Sequence, residues 1–279
     1  MRFLAGVPSR RSARVSGSPG TRPVRTAIRP WLLRGALLAI AAIGCATTAA
    51  TSIDPPPDEG LNVLFIGNSL TYWNDLPAIA RALADSTGGE KMNVRSVAYP
   101  DFSLEDHWNQ GDARRAIALG KWDVVVLQQG PSSLPESRVL LLEFARRFAA
   151  EIRRVGARPA LYMVWPSSQR QADFERSSES YRLAAEEVDG MLFAVGDAWR
   201  ATWRRDANIV LYSLDGLHPS PAGSYLAALV MVGQLYSRSP VGLPSRLRLA
   251  SGGQPEISAS LAGVLQAAAA EVNSAAVAR

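Results

Sequence analysis

Five short apolar runs, each followed by a longer stretch of helical or polar sequence, constrain this chain more than any other feature. The runs are Leu61–Ile66, Met92–Ala98, Trp122–Gln128, Ala160–Trp165 and Met191–Val195. Their length and their aliphatic, β-branched content suit buried strands. Between them, Asp75–Ser86, Leu104–Leu119 (interrupted by Gly111), Glu136–Val155 and Asp173–Val188 read as helices, closed in turn by Gly88-Gly89, Gly156 and Gly190. Beyond the fifth run come a short helix (Ala198–Arg205), a short extended run (Ile209–Tyr212), a strongly apolar helix (Pro221–Tyr236) and an Ala-rich helix near Ile257–Ala275. Parallel strands need crossover segments of this length, and helices crossing over on both faces bury such a sheet. The expected class is therefore α/β: a three-layer α/β/α, flavodoxin-like parallel sheet of about five strands, occupying residues 61–279.

Charge excludes one large class of function. Residues 1–45 contain eight Arg and no acidic residue; removing them from 30 basic groups leaves 22 against 25 acidic, a formal charge of −3 for residues 46–279. The basic excess thus belongs to a leader, and a nucleic-acid partner is not expected. A single Cys excludes an intramolecular disulfide and multi-Cys zinc patterns, and two His exclude a three-His metal site. No cofactor is implied.

The leader has a basic n-region ending at Arg34, then an apolar run from Gly35 to Ala46. That run is too short to cross a hydrocarbon core of about 30 Å. It reads as an export signal over residues 1–45. Two exits compete. Ala42-Ile43-Gly44-Cys45 resembles a bacterial lipobox, which would acylate Cys45 and anchor the mature chain to a membrane. Thr48-Ala49-Ala50 offers ordinary signal-peptidase cleavage and a periplasmic or secreted product. Residues 46–60, with Pro55-Pro56-Pro57, read as a flexible tether.

In doubly wound sheets the chemistry lies beyond the carboxyl ends of the strands. After the first run comes Gly67-Asn68-Ser69-Leu70-Thr71. A serine on a tight strand-to-helix turn is exposed above the sheet, with main-chain N–H groups converging near it. Taken alone, Ser69 fits a helix cap equally well. After the last extended run comes Asp215-Gly216-Leu217-His218-Pro219. A serine hydroxyl needs a base, and an acid three residues before a histidine can reach its Nδ1. The turn after the first strand has one Gly and no Lys, so a phosphate cradle is not supported.

Gly67-Asn68-Ser69-Leu70 and Asp215-Gly216-Leu217-His218 resemble the first and last blocks of the SGNH hydrolases, the GDSL-type esterase/lipase superfamily. The likeness covers roughly residues 61–237. It implies Ser69 as nucleophile, His218 as base and Asp215 as its orienting acid. The family's oxyanion Gly after the second strand is missing, and a main-chain N–H from Asp101 or Phe102 would stand in for it. The family's Asn after the third strand is missing too. Gln128 is the expected side-chain donor in its place, with Gln129 in reserve, in a divergent branch carrying Gln in the third block. His107, within the helical run Leu104–Leu119, and Trp165, at the end of the fourth strand, are candidates for the substrate pocket, with a structural packing role open for each; Trp73, Trp108 and Trp199 are similar aromatic candidates for the same rim.

The resemblance implies an exported serine esterase acting on a small-molecule or carbohydrate ester, such as an O-acetyl group or a short acyl ester. A non-catalytic binding lipoprotein on the same scaffold and an O-acyltransferase are the competing expectations.

Overall fold

The computed structural model describes residues 54–277. The expected export signal, Cys45 and the first part of the expected tether lie outside the described residues.

Five parallel strands form one sheet in the order β2-β1-β3-β4-β5: β1 Leu61–Gly67, β2 Met92–Ala98, β3 Val124–Leu127, β4 Arg158–Tyr162 and β5 Met191–Phe193. This is a flavodoxin-like order, in agreement with the expected fold class. The central strands β1 and β3 carry the longest apolar runs because both their faces are covered; β3, Val124-Val125-Val126-Leu127, is buried at every position. β2 lies at an edge, and of its residues only Met92 and Val97 are buried.

The helices divide into two groups. α3 (Leu104–Gln110), α4 (Asp112–Ala118), α5 (Pro135–Arg154) and α6 (Phe174–Glu187) pack in sequence against one another. α2 (Leu76–Asp85), α7 (Val195–Arg205), α8 (Pro221–Leu235) and α9 (Ala259–Val277) form the other group. α1 (Ser69–Tyr72) is a single turn directly after β1. α8 is buried almost throughout its length, which accounts for its lack of a polar stripe. No helix among the described residues is long and apolar enough to cross a membrane.

Several boundaries differ from the sequence expectation for local reasons. The segment 104–119 is two helices, because Gly111 adopts a left-handed φ of 89° between them. β4 ends at Tyr162 and its continuation, Met163–Trp165, turns toward the site. α7 starts at Val195 rather than Ala198. Gly196 sits where a Cβ would lie 2.9 Å from the Val164 carbonyl oxygen, so the helix packs tightly against the end of the neighbouring segment. Ile209–Tyr212 does not join the sheet; Tyr212 forms one antiparallel bridge with Pro219.

β1 pairs with β2 on one side and β3 on the other. The chain thus reverses its direction of winding at β1, and the crevice this leaves is where such sheets place their chemistry. Ser69 leaves the sheet at that point.

Candidate active site

The serine turn is built from below. Gly67 ends β1, and a Cβ there would lie 2.3 Å from both Gln128 Oε1 and Thr71 Oγ1. Only glycine leaves room for the Gln128 amide to enter under the turn. That amide is fully engaged. Its oxygen accepts from the Asn68 N–H (2.9 Å) and from Thr71 Oγ1 (2.7 Å), while its nitrogen donates to Asn68 Oδ1 (2.9 Å) and to the Gln129 carbonyl (2.6 Å). Asn68 also caps α1, accepting from the Leu70 N–H, and its own amide donates to the Phe102 carbonyl. Ser69 is therefore presented on a turn cross-braced to the ends of β3 and β2. As the first residue of α1, its N–H is one of those a helix leaves without an internal partner.

The structure brings Ser69, His218 and Asp215 together. His218 Nε2 lies 2.9 Å from Ser69 Oγ, and His218 Nδ1 lies 2.6 Å from Asp215 Oδ2. Because an ionised carboxylate only accepts, Nδ1 carries the ring proton and Nε2 faces the hydroxyl as an acceptor. The other oxygen of Asp215 accepts from the N–H groups of Leu217 and His218, at 2.8 and 2.9 Å. The Leu217 N–H bond first, then the His218 imidazole, hold the Asp215 carboxyl below the usual carboxylate range. Its side chain is 44% exposed, so solvent screens its charge and the directed hydrogen bond is the stronger influence on the ring.

The His218 loop is pinned from the segment after β4. Trp165 Nε1 donates to the Leu217 carbonyl (2.9 Å), the Ser168 N–H to the Gly216 carbonyl (2.7 Å) and Tyr212 Oη to the Pro166 carbonyl (2.6 Å). Gly216 has a left-handed φ of 70°, and a Cβ there would meet Ser168 Oγ at 2.2 Å. From the other side, the Trp73 ring stacks on the His218 ring with centroids 3.9 Å apart and planes 16° apart.

Four expectations are corrected by these contacts. Gln128 is completely buried and both its N–H groups are spent, so it braces the serine turn and has no donor left for a substrate. Gln129, also buried, accepts from the Leu104 N–H and donates to Ser132 Oγ, which ties β3 to the start of α3. Trp165 is not at a rim. It is fully buried, stacked on Trp199 at 3.8 Å, and acts on the site only through its bond to Leu217. His107 is 1% exposed, with Nε2 2.8 Å from the Gly67 carbonyl and Tyr99 and Phe102 against its ring. It supports the end of β1 from beneath, and burial holds it below the ordinary imidazole range. Of the other tryptophans, Trp199 is buried, and Trp108 packs on Phe148 under Arg114 and Arg147.

Asp101 lies on the turn after β2, where the family carries glycine. It is exposed and has a left-handed φ of 60°, the conformation that favours glycine, directly after Pro100. The Phe102 N–H closes this turn on the Tyr99 carbonyl, so of the two donors considered the Asp101 N–H is the one not used by the turn. Trp73 on the His218 ring, and Asn74 with its amide donating to the Pro219 carbonyl, are contacts to the histidine loop that the sequence pattern did not assign; their position four and five residues after Ser69 is the signal that could have found them. Among the described residues, no group of three or more His, Cys, Asp or Glu side chains is gathered closely enough to hold a metal ion.

No protein-family model matches the chain, and no curated protein sequence matches it significantly. Solved structures do. A protein from Slackia heliotrinireducens assigned to the SGNH hydrolases is 27% identical, with a TM-score of 0.55, covering 63% of this chain and 99% of that one. A DUF4886 family protein from Bacteroides uniformis is 19% identical with a TM-score of 0.64, covering 76% and 94% of the two chains. A variant of an acetyl-xylooligosaccharide esterase from Geobacillus is 16% identical with a TM-score of 0.51, covering 63% and 95%. The last two share the fold. Together with the strand order and the serine turn leaving the sheet at β1, the likeness to nearly the whole length of the Slackia protein makes this chain a member of the SGNH hydrolase superfamily.

Proposed function

We propose that this protein is an exported serine esterase that hydrolyses carboxylic esters, with short acyl and O-acetyl groups on carbohydrate as the favoured substrates. The observation that carries this reading is the unbroken run of hydrogen bonds from Ser69 Oγ through both nitrogens of His218 to Asp215. Ser69 Oγ attacks the ester carbonyl carbon while its proton passes to His218 Nε2. Asp215 holds the ring in the tautomer that can accept this proton and balances the charge it acquires. The oxyanion forms over the serine turn, where the donors are the main-chain N–H groups of Ser69 and of Asp101. His218 then returns the proton to the departing alcohol. Water, activated by the same nitrogen, releases the acid from Ser69.

Export rests on the leader of residues 1–45, and membrane anchoring on acylation of Cys45; mass spectrometry of the N-terminus of the native protein tests both. The short-acyl and O-acetyl preference rests on the family resemblance and on the fold shared with an acetyl-xylooligosaccharide esterase.

Turnover of p-nitrophenyl acetate by the wild type and Ser69→Ala tests the chemistry. The expected loss is at least about 10³-fold in kcat, since the nucleophile is removed and only binding and the oxyanion donors remain. A fluorophosphonate is expected to label the peptide containing Ser69. Equal rates for the two proteins would overturn the reading.

A further inference from the structure

We propose that Trp73 is a positioning residue for His218, holding the imidazole face so that Nε2 stays on Ser69 Oγ and favouring the ring in its charged form. This inference rests on the serine-esterase reading and assigns to it a part that neither the resemblance nor the sequence pattern contained.

The ring of His218 is fixed along its edge by two hydrogen bonds, Nε2 to Ser69 and Nδ1 to Asp215. Edge contacts leave it free to tilt out of its own plane, and tilting moves Nε2 off the line to Oγ. The nearly parallel indole of Trp73, 3.9 Å away, blocks that movement on one face. The stack is itself held by the chain that follows it. Asn74 and Asp75 have left-handed φ values of 54° and 57°. Two successive non-glycine residues in that region are uncommon and persist where the surroundings demand them. Here the demand is visible. The Asn74 amide donates to the Pro219 carbonyl (3.0 Å) and to Ser224 Oγ (2.9 Å), one residue after His218 and one turn into α8. The serine helix therefore reaches across to grip the histidine loop, with Trp73 on the ring and Asn74 on the backbone beside it.

The same face contact has an electrostatic consequence. When Ser69 Oγ bonds to the carbonyl carbon, its proton goes to Nε2 and the ring gains one positive charge. The negative face of an indole attracts a cation stacked on it, and tryptophan does so more strongly than phenylalanine. The groups that face the ring are Asp215 on its own loop, Ser69 from α1 and Trp73 from the turn after it. Asp75, at the foot of that turn, is engaged by Ser251 Oγ. Among the described residues, Asp215 is the one carboxylate paired with His218.

The test compares wild type, Trp73→Leu and Trp73→Phe, each as the full exported protein, in kcat and KM for p-nitrophenyl acetate from pH 5 to 9. Trp73→Leu is expected to lower kcat by about 2- to 30-fold, the range of cation–π contacts converted at tenfold per 1.36 kcal/mol. KM is expected to change little, and the acid limb of the kcat/KM profile to move to lower pH because the charged ring loses its partner. Trp73→Phe is expected to recover part of the rate and part of the pH shift. A merely structural tryptophan would lower the rate without moving the acid limb, so an unmoved limb in both variants overturns the proposal, as does wild-type kcat in Trp73→Leu. Should the leucine variant not fold, the direction of the limb in Trp73→Phe decides alone. Activity that survives Ser69→Ala would refute the esterase reading itself, whereas activity that needs Ser69 and ignores Trp73 would refute only this inference.

Discussion

Replacing Gln128 by Met separates a brace from an oxyanion donor. The two side chains have nearly the same volume, so packing changes little. What changes is a set of four buried hydrogen bonds. The acceptors on the far side keep other partners: Asn68 Oδ1 still receives the Leu70 N–H, and the Gln129 carbonyl still receives Tyr181 Oη at 2.7 Å. The two donors, the Asn68 N–H and the Thr71 hydroxyl, lose the acceptor that Gln128 supplies, and both residues are buried. A buried donor left without a partner costs about 1–3 kcal/mol, so the variant should lose about 2–6 kcal/mol of stability. With an m-value of about 2–3 kcal/mol per molar urea, the unfolding midpoint should fall by about 0.7–3 M. The assay is urea denaturation followed by tryptophan fluorescence, with p-nitrophenyl acetate turnover measured alongside. A group that instead donated to the oxyanion would leave the midpoint in place and cost about 10²–10³ in kcat. That second pattern would refute the account of the serine turn given above.

Gly67→Ala should destabilise the fold and abolish turnover together, because the new Cβ cannot coexist with Gln128 Oε1 and Thr71 Oγ1 and the displacement falls next to Ser69; a fluorophosphonate-labelling assay with circular dichroism would show whether both are lost. His107 gives a pH-dependent prediction. Burial lowers its folded-state value, so the unfolded chain takes up a proton first as pH falls. Its contribution to stability is present in full above the ordinary imidazole value of about 6.5 and is lost as pH drops through that value toward the lower folded one. Wild type should therefore lose more urea stability than His107→Gln between pH 7.5 and 5.5; equal losses would remove His107 as the source.

The strands were legible because buried parallel strands require continuous aliphatic runs, and Val124-Val125-Val126-Leu127 has no other reading at that length. The acid and base of the site were legible because Asp215 and His218 lie three residues apart on one loop, where spacing alone brings them into range. The amides were not. A glutamine at a strand end can aim its donors at a substrate or at the turn beside it, and the choice at Gln128 depends on the space left by Gly67, 61 residues away in sequence. Tryptophans were ambiguous for a related reason. Their identity says nothing about which side of a layer they face, so Trp165, buried against Trp199, and Trp73, stacked on the histidine, looked alike. The start of α7 was misplaced because Gly196 has a low helix propensity, which close packing against Val164 overrides.

The hydroxyl and the imidazole that meet at 2.9 Å are 149 residues apart along the chain, and the Asn74 amide spans nearly the same interval to reach α8. During synthesis, the ribosome releases the serine turn long before the histidine loop exists. A product truncated between Phe193 and His218 thus carries the nucleophile above all five strands and has no base beside it. Activity in this protein consequently reports the arrival of the segment that carries Asp215 and His218.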